Sequence, residues 1–210
     1  MSVEVEAEPA VAERIFGPHI GLARQFAKNL ADFGEERGLI GPLEPPRLWS
    51  RHILNCGVFA DLLPAGGLVG DVGSGAGLPG IVLALARPDV EFALIEPMER
   101  RTDWLSEQVS ELGLRNVQVV RSRVQDAPFM EKCDVVTARA VSALKTLIPM
   151  TAPLVKPGGS LLLMKGASVD REITEAQKQI RIHRLVDLQV IYSGEGILEE
   201  PTRLVQATVE

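Results

Sequence analysis

The densest chemical signal in the chain is the run Asp71-Val72-Gly73-Ser74-Gly75-Ala76-Gly77-Leu78-Pro79-Gly80. Four glycines and one acid within ten residues suit a turn that demands unusual backbone angles and lets a ligand lie against the main chain. Gly75 to Gly80 formally satisfies the G-x-G-x-x-G fingerprint of a dinucleotide site. The register argues against it. The fingerprint would begin four residues beyond Asp71, and Pro79 has no N–H at a position where one should help to bind pyrophosphate.

Counted from Asp71, the same run reads acid-x-Gly-x-Gly-x-Gly and resembles a loop that binds S-adenosylmethionine. A carboxylate at Asp71 suits a cationic ligand with an α-ammonium group and would stand badly beside a pyrophosphate. Glu96 follows the next apolar run, where an acid can accept both hydroxyls of a ribose. NAD sites use such an acid too, so Glu96 alone does not decide. Gly73, Gly75, Gly77, Leu78 and Glu96 are therefore the candidate cofactor-binding residues of this part of the chain.

The elements that must hold this loop follow from apolar periodicity. Short apolar runs at 68–72, 90–95, 117–120, 134–138, 160–165, 185–192 and 204–209 read as strands. Helical stretches are expected at 79–86, 98–112 and 143–154, with a short piece near Asp126. Alternating β and α units give a parallel sheet with helices on both faces and right-handed crossovers. Only a segment with Gly194, Gly196 and Pro201 separates the last two strands, so they should pair as an antiparallel hairpin. The expected fold is α/β, the Rossmann-like class I methyltransferase layout: seven strands, mostly parallel, the last antiparallel.

Ahead of the sheet, Leu22, Phe26, Leu30 and Phe33 mark an amphipathic helix that the glycines at 34 and 38 would end. A second stripe, Trp49, Ile53, Cys56, Ala60 and Leu63, predicts a further helix beginning at Pro46 and stopped by Pro64-Ala65-Gly66-Gly67. The organisation expected is a disordered acidic tail over 1–12, a helical extension over 13–66 and a core over 67–210, all within a single domain.

Composition narrows the function classes. The 210 residues carry 46% hydrophobic and 24% charged side chains, and the longest clean apolar run, 81–86, is far too short to span a bilayer. Acids near the N-terminus, where a secretory signal would carry bases, point to a cytoplasmic protein. Cys56 and Cys133 have no close partner and the three histidines are scattered, so neither a disulfide nor a metal site is expected. The net charge of −6 resides at the ends: residues 1–46 sum to −4, 195–210 to −3, and 47–194 to +1. Arg47, Arg51, His52, Arg123, Arg139 and Lys165, with Arg100, Arg101 and Arg121, mostly fall at predicted carboxyl ends of strands or on the preceding helix. Ligands bind on that side of an open α/β sheet, and these bases could meet RNA phosphates despite the acidic total.

The glycine run, with Arg51-His52-Ile53-Leu54 upstream and Ser122-Arg123-Val124, Ala138-Arg139-Ala140 and Lys165-Gly166 after successive strands, resembles the RsmG family, also called glucose-inhibited division protein B. The resemblance runs from about Phe16 to the C-terminus. It implies methylation of N7 of a guanine, position 527 in the 530 loop of 16S ribosomal RNA, with S-adenosylmethionine as donor. The implied substrate is the small ribosomal subunit or an assembly intermediate, with neither membrane nor metal involved. Carried over, Gly73 and Leu78 contact the cofactor, Val124 and Gln125 flank its adenine, and Arg139 lies near both cofactor and incoming base. Many relatives carry Glu where this chain has Gln125, and often Asn-Leu-Thr where it reads Gly38-Leu39-Ile40-Gly41. Arg51, His52, Arg123, Arg139 and Lys165 form the expected RNA-binding set.

The chemistry needs no catalytic residue. N7 of guanine has an in-plane lone pair and no proton to lose, so positioning supplies most of the acceleration. Methylation of an adenine amino group would need an Asn/Asp-Pro-Pro-aromatic tetrapeptide after the fourth strand, where this chain reads Thr137-Ala138-Arg139-Ala140. Methylation of C5 in a pyrimidine would need a nucleophilic cysteine there, but Cys133 lies at the opposite end of the strand. Because N7 methylation makes the purine cationic, Arg139 belongs with O6, a phosphate or the cofactor carboxylate rather than with N7. A methyltransferase for a small molecule or protein, and a non-catalytic dinucleotide-binding module, are the alternatives.

Overall fold

The structure is a computed structural model that describes residues 4–210. Seven strands form one sheet: β1 Leu68–Val72, β2 Glu91–Glu96, β3 Val117–Arg121, β4 Cys133–Arg139, β5 Val155–Met164, β6 Leu185–Ser193 and β7 Thr202–Val209. Their order is β3-β2-β1-β4-β5-β7-β6. β1 to β5 pair in parallel, and β7 inserts antiparallel between β5 and β6. The order reverses between β1 and β4, the switch point where such sheets open a crevice at their carboxyl ends. Strand β1 is almost wholly buried, Asp71 included, because helices cover both of its faces.

One face is covered by α1 Ala12–Phe16, α2 Ile20–Phe33, α4 Gly80–Ala86 and α5 Glu99–Glu111. The other carries α6 Leu144–Thr151 and α7 Val169–Ile182. Phe16, Phe26, Leu30 and Trp49 pack with Ile81, Leu83 and Leu85 of α4, so the extension completes the first core layer. Burying each such large side chain contributes about 1.5–3 kcal/mol, which makes the extension part of the domain.

Three expectations need correction. The single helix expected from Pro46 to Leu63 is broken. A tight turn at Pro45–Arg47 leads into a π-helical stretch at Trp49–Leu54, one α turn, α3, at Asn55–Gly57, and another tight turn at Ala60–Leu62. Helix α7 was not anticipated, yet Val169, Ile173, Ala176 and Ile180 recur at spacings of four, three and four and pack onto the second layer. The acidic tail is not free where it is described. The Glu6 N–H donates to the Pro45 carbonyl, its carboxylate accepts from Ser50, and Glu8 pairs with Arg24 at 2.6 Å. Residues 1–3 lie outside the described part.

Candidate methyl-donor and acceptor site

The loop from β1 to α4 is shaped from below and above. Asp71, the penultimate residue of β1, is fully buried beneath it, where Oδ2 accepts the Gly80 N–H at 3.0 Å and Oδ1 has no partner among the described residues. Burial, with the Glu96 charge adding to it, pushes this carboxyl up to about 7. Asp71 therefore does not reach the cleft, and the expected direct contact with an α-ammonium group gives way to support of the loop. Gly80 is required because a Cβ there would stand 2.5 Å from Asp71 Oδ2 and 2.3 Å from Leu94 Cδ2. Trp104 Nε1 donates to the Ala76 carbonyl at 3.0 Å and fixes the loop from α5.

Gly73, at φ +71°, faces Val141 of the loop after β4, whose Cγ2 would lie 2.8 Å from a Cβ. The space above Gly73 is thus filled by the protein's own side chain on one side and opens on the other. Gly77 differs from the expectation. It does not line the cleft, and its φ of +92° and the Ile81 side chain 2.6 Å from a Cβ make it a turn glycine.

Two adjoining hollows meet along Gly73, Arg101 and Ala140. The first, about 390 Å³, is walled by Ile95, Met98, Val124, Val141 and Met150, with Glu96, Arg123 and Gln125 among its polar groups. Glu96 is 2% exposed, and its oxygens accept the N–H groups of Gly75 and Met98 at 3.0 Å each. A carboxylate has about four lone-pair directions, so two remain for ribose hydroxyls. The second hollow, about 300 Å³, lies between Gly73–Leu78 and a wall of Glu44, His52 and Arg139. An apolar lobe with a buried acid in its lining, joined to a polar lobe over a glycine loop, fits a nucleoside that carries a charged amino-acid tail.

Arg139 closes β4 and is held by the extension. One terminal nitrogen donates to His52 Nδ1 at 2.7 Å and to the Arg51 carbonyl at 3.4 Å, and the other approaches Cys56 Sγ at 3.2 Å. Because guanidinium only donates, His52 Nδ1 must accept. The ring proton therefore sits on Nε2 and is directed at Glu44, 2.5 Å away. Burial and the Arg139 charge hold His52 down at about 4, so the ring is neutral. Burial alone would raise Glu44, but bonds from Arg47 and His52 bring it below the ordinary carboxylate range. Burial raises the Cys56 thiol, which leaves it a neutral neighbour.

Two of the residues expected to contact RNA already have partners within the protein. His52 is 7% exposed, and both ring nitrogens are engaged within the protein, one by Arg139 and one by Glu44. Lys165 Nζ is taken by Glu172 at 2.7 Å and the Ser142 carbonyl at 2.9 Å, and forms a wall. Arg51 and Arg123 are exposed, and among the described residues Arg51 has a single loose pairing, with Glu44 at 3.7 Å. The sequence reasoning missed Glu44, Cys56 and Ala140. Ala140 directly follows Arg139 at φ +54°, a strained angle for a residue with a Cβ. Among the described residues no cluster of three or more metal-ligating side chains occurs, and no helix is long and apolar enough to cross a membrane.

Strand order and site together define a class I S-adenosylmethionine-dependent methyltransferase. The fold is similar to that of an S-adenosylmethionine-dependent O-methyltransferase of Thermotoga maritima, at a TM-score of 0.61 and 15% identity over 88% of this chain and 71% of that one. It is also similar to M. jannaschii TYW2 in complex with AdoMet, at 0.60 and 18%, covering 76% and 75%. Residues 19–200 match the family described as rRNA small subunit methyltransferase G, and the chain belongs to that family. It is 59% identical to the ribosomal RNA small subunit methyltransferase G of Leifsonia xyli subsp. xyli, over the whole of both chains. The same protein of Clavibacter sepedonicus is 58% identical over 98% of this chain and 97% of its own length.

Proposed function

We propose that the chain transfers the methyl group of S-adenosylmethionine to N7 of a guanine in the 530 loop of 16S ribosomal RNA, acting in the cytoplasm on the small subunit or an assembly intermediate. The observation that carries the choice of N7 is the state of the groups around Arg139. His52 spends its lone pair on Arg139, the Cys56 thiol is buried with a raised pKa, and Cys133 starts β4 at the far end of the strand. A neutral acceptor with a ready lone pair suits a junction whose titratable groups are all engaged.

In this reading Gly73, Gly75 and Leu78 cradle the amino-acid end of the donor, Glu96 holds its ribose, and Val124 and Gln125 flank its adenine. When bound, the donor supplies an electrophilic methyl on a sulfonium. Arg139, locked from behind by His52 and Cys56, keeps its remaining N–H groups for the donor carboxylate or guanine O6. Arg51 and Arg123 supply positive charge for phosphates, so binding should weaken with salt. The extension, residues 13–66, and the core, residues 67–210, act as one unit because Arg139 is held by both.

Incubation with tritiated S-adenosylmethionine and small subunits or naked rRNA lacking the modification tests the reading. Label in 16S RNA, mapped by strand scission at 7-methylguanosine, is expected. Label confined to protein, or tight NADH binding without methyl transfer, would refute it.

A further inference from the structure

We propose that a crevice of about 360 Å³ on the far side of Arg139 seats the methyl acceptor, and that it takes one unstacked purine nucleotide of RNA through Asn55 and Arg203. The inference rests on the methyltransferase reading above and adds a place and two residues to it. Arg139 and Ala140 line both this crevice and the glycine-loop hollow. In-line displacement needs the nucleophile opposite the leaving group. An acceptor approaching from the crevice meets a donor lodged in the hollows at this shared wall. The volume suits one nucleoside and is too small for a stacked base pair, so the target must leave its stack to enter.

The lining supplies what such a nucleotide requires. Arg203 of β7 lies over the Tyr192 ring at 5.3 Å and donates to its hydroxyl at 3.3 Å. Among the described residues it pairs with no carboxylate. A guanidinium fixed by stacking keeps its fork of donors for a phosphate or its face for a base. Asn55 is pinned beside β7 because its main-chain carbonyl accepts the Thr202 hydroxyl at 2.7 Å. Its side-chain amide offers a donor and an acceptor, the pairing that a base edge presents. Lys165 lines the crevice with its charge already met by Glu172. Glu200 also borders it. That acid disfavours a phosphate on its own side, which leaves Arg51 and Arg203 to bind one, and it offsets the charge that develops on the ring. The N7 lone pair forms the new N–CH3 bond while the C–S pair returns to sulfur. Positive charge passes from sulfur to purine and no proton is released.

The test measures tritium transfer to small subunits lacking the modification by the parent and by Arg203→Ala, Arg203→Lys and Asn55→Ala. Arg203→Ala should lower kcat/KM for RNA by roughly ten- to a hundredfold, mainly through KM, and reduce the salt slope by about one. Arg203→Lys should recover part of the loss, and Asn55→Ala should lower kcat/KM roughly tenfold. Donor affinity by calorimetry should stay within about twofold of the parent in all three, which also reports folding. Parental kcat/KM in both alanine variants overturns the crevice assignment alone. A parent that binds the donor but labels only protein, or nothing, overturns the proposed function and the crevice with it.

Discussion

His52→Leu is the perturbation that most directly tests how Arg139 is held. The substitution removes an acceptor 2.7 Å from Arg139 and a donor 2.5 Å from Glu44. Hydrogen bonds to charged groups contribute about 1.5–3 kcal/mol each. Glu44 keeps Arg47 at 2.6 Å, and Arg139 keeps Cys56 and the Arg51 carbonyl, so we expect a combined loss of roughly 2–4 kcal/mol. For a chain of this size that lowers Tm by about 4–16 °C. Released from one side, the guanidinium should cost about ten- to a hundredfold in kcat. Donor affinity should change less. His52→Gln, whose amide both accepts and donates, should restore most of the rate. The pH dependence supplies a second readout. The folded pKa of about 4 lies below the ordinary 6.5, so the parent binds fewer protons folded than unfolded between those values. The contribution of His52 to stability is therefore full above pH 6.5 and declines by about 3 kcal/mol as pH falls to 4. His52→Leu should flatten that part of the profile. Urea unfolding at several pH values and single-turnover transfer provide the two measurements. The reasoning fails if His52→Gln transfers no faster than His52→Leu, or if His52→Leu keeps the parental rate.

Asp71→Asn should behave in the opposite sense. The raised pKa of Asp71 costs the parent stability as pH climbs from 3.8 through about 7, so the variant should gain about 3 kcal/mol relative to the parent between pH 5 and pH 8.5; parallel unfolding profiles would refute this. Gly73→Val forces a β-branched residue into φ +71° and against Val141, and calorimetry should find donor affinity reduced more than a hundredfold. Arg123→Ala should raise KM for RNA several-fold and lower the salt slope by about one, with donor affinity nearly unchanged; a salt-insensitive parent would remove Arg123 from the RNA contacts.

The sheet was legible because its signal is periodic and local. The predicted β1 has the observed ends, and the other strands begin or end within a few residues of the expected positions. Strand β5 is the largest difference. It starts at Val155, where pairing with Cys133 overrides the proline and glycines at 157–159. Helix α7 escaped because the four apolar residues of its inward stripe are scattered through a strongly charged segment, although their spacing is helical. The break between Pro46 and Leu63 was not legible. An apolar stripe at spacings of four and three does not distinguish a regular helix from one with an inserted wide turn. Such turns often occur at functional sites, and this one carries His52 inward beside Trp49. At the site, the glycine loop and Arg139 could be found because each directly follows a strand. Glu44 could not, since its role exists only once the extension is folded back onto β4.

That folding back also explains how an acidic chain can present a basic face. Several acids of the first 46 residues are engaged by groups within the protein rather than left free to face a ligand: Glu8 and Glu13 by Arg24, Glu6 by Ser50, and Glu44 by Arg47 and His52. At physiological ionic strength exposed charges act over about 8 Å, so a phosphate at the carboxyl ends of the strands responds to Arg51, Arg123 and Arg203 rather than to the sum over the chain. The same contacts bind the extension to the chemistry. Arg139 belongs to the core strand, but the side chain and backbone groups that orient it come from residues 51, 52 and 56. Without those three contacts the guanidinium would be free to turn, because among the described residues its anchors where donor and acceptor meet all come from the extension.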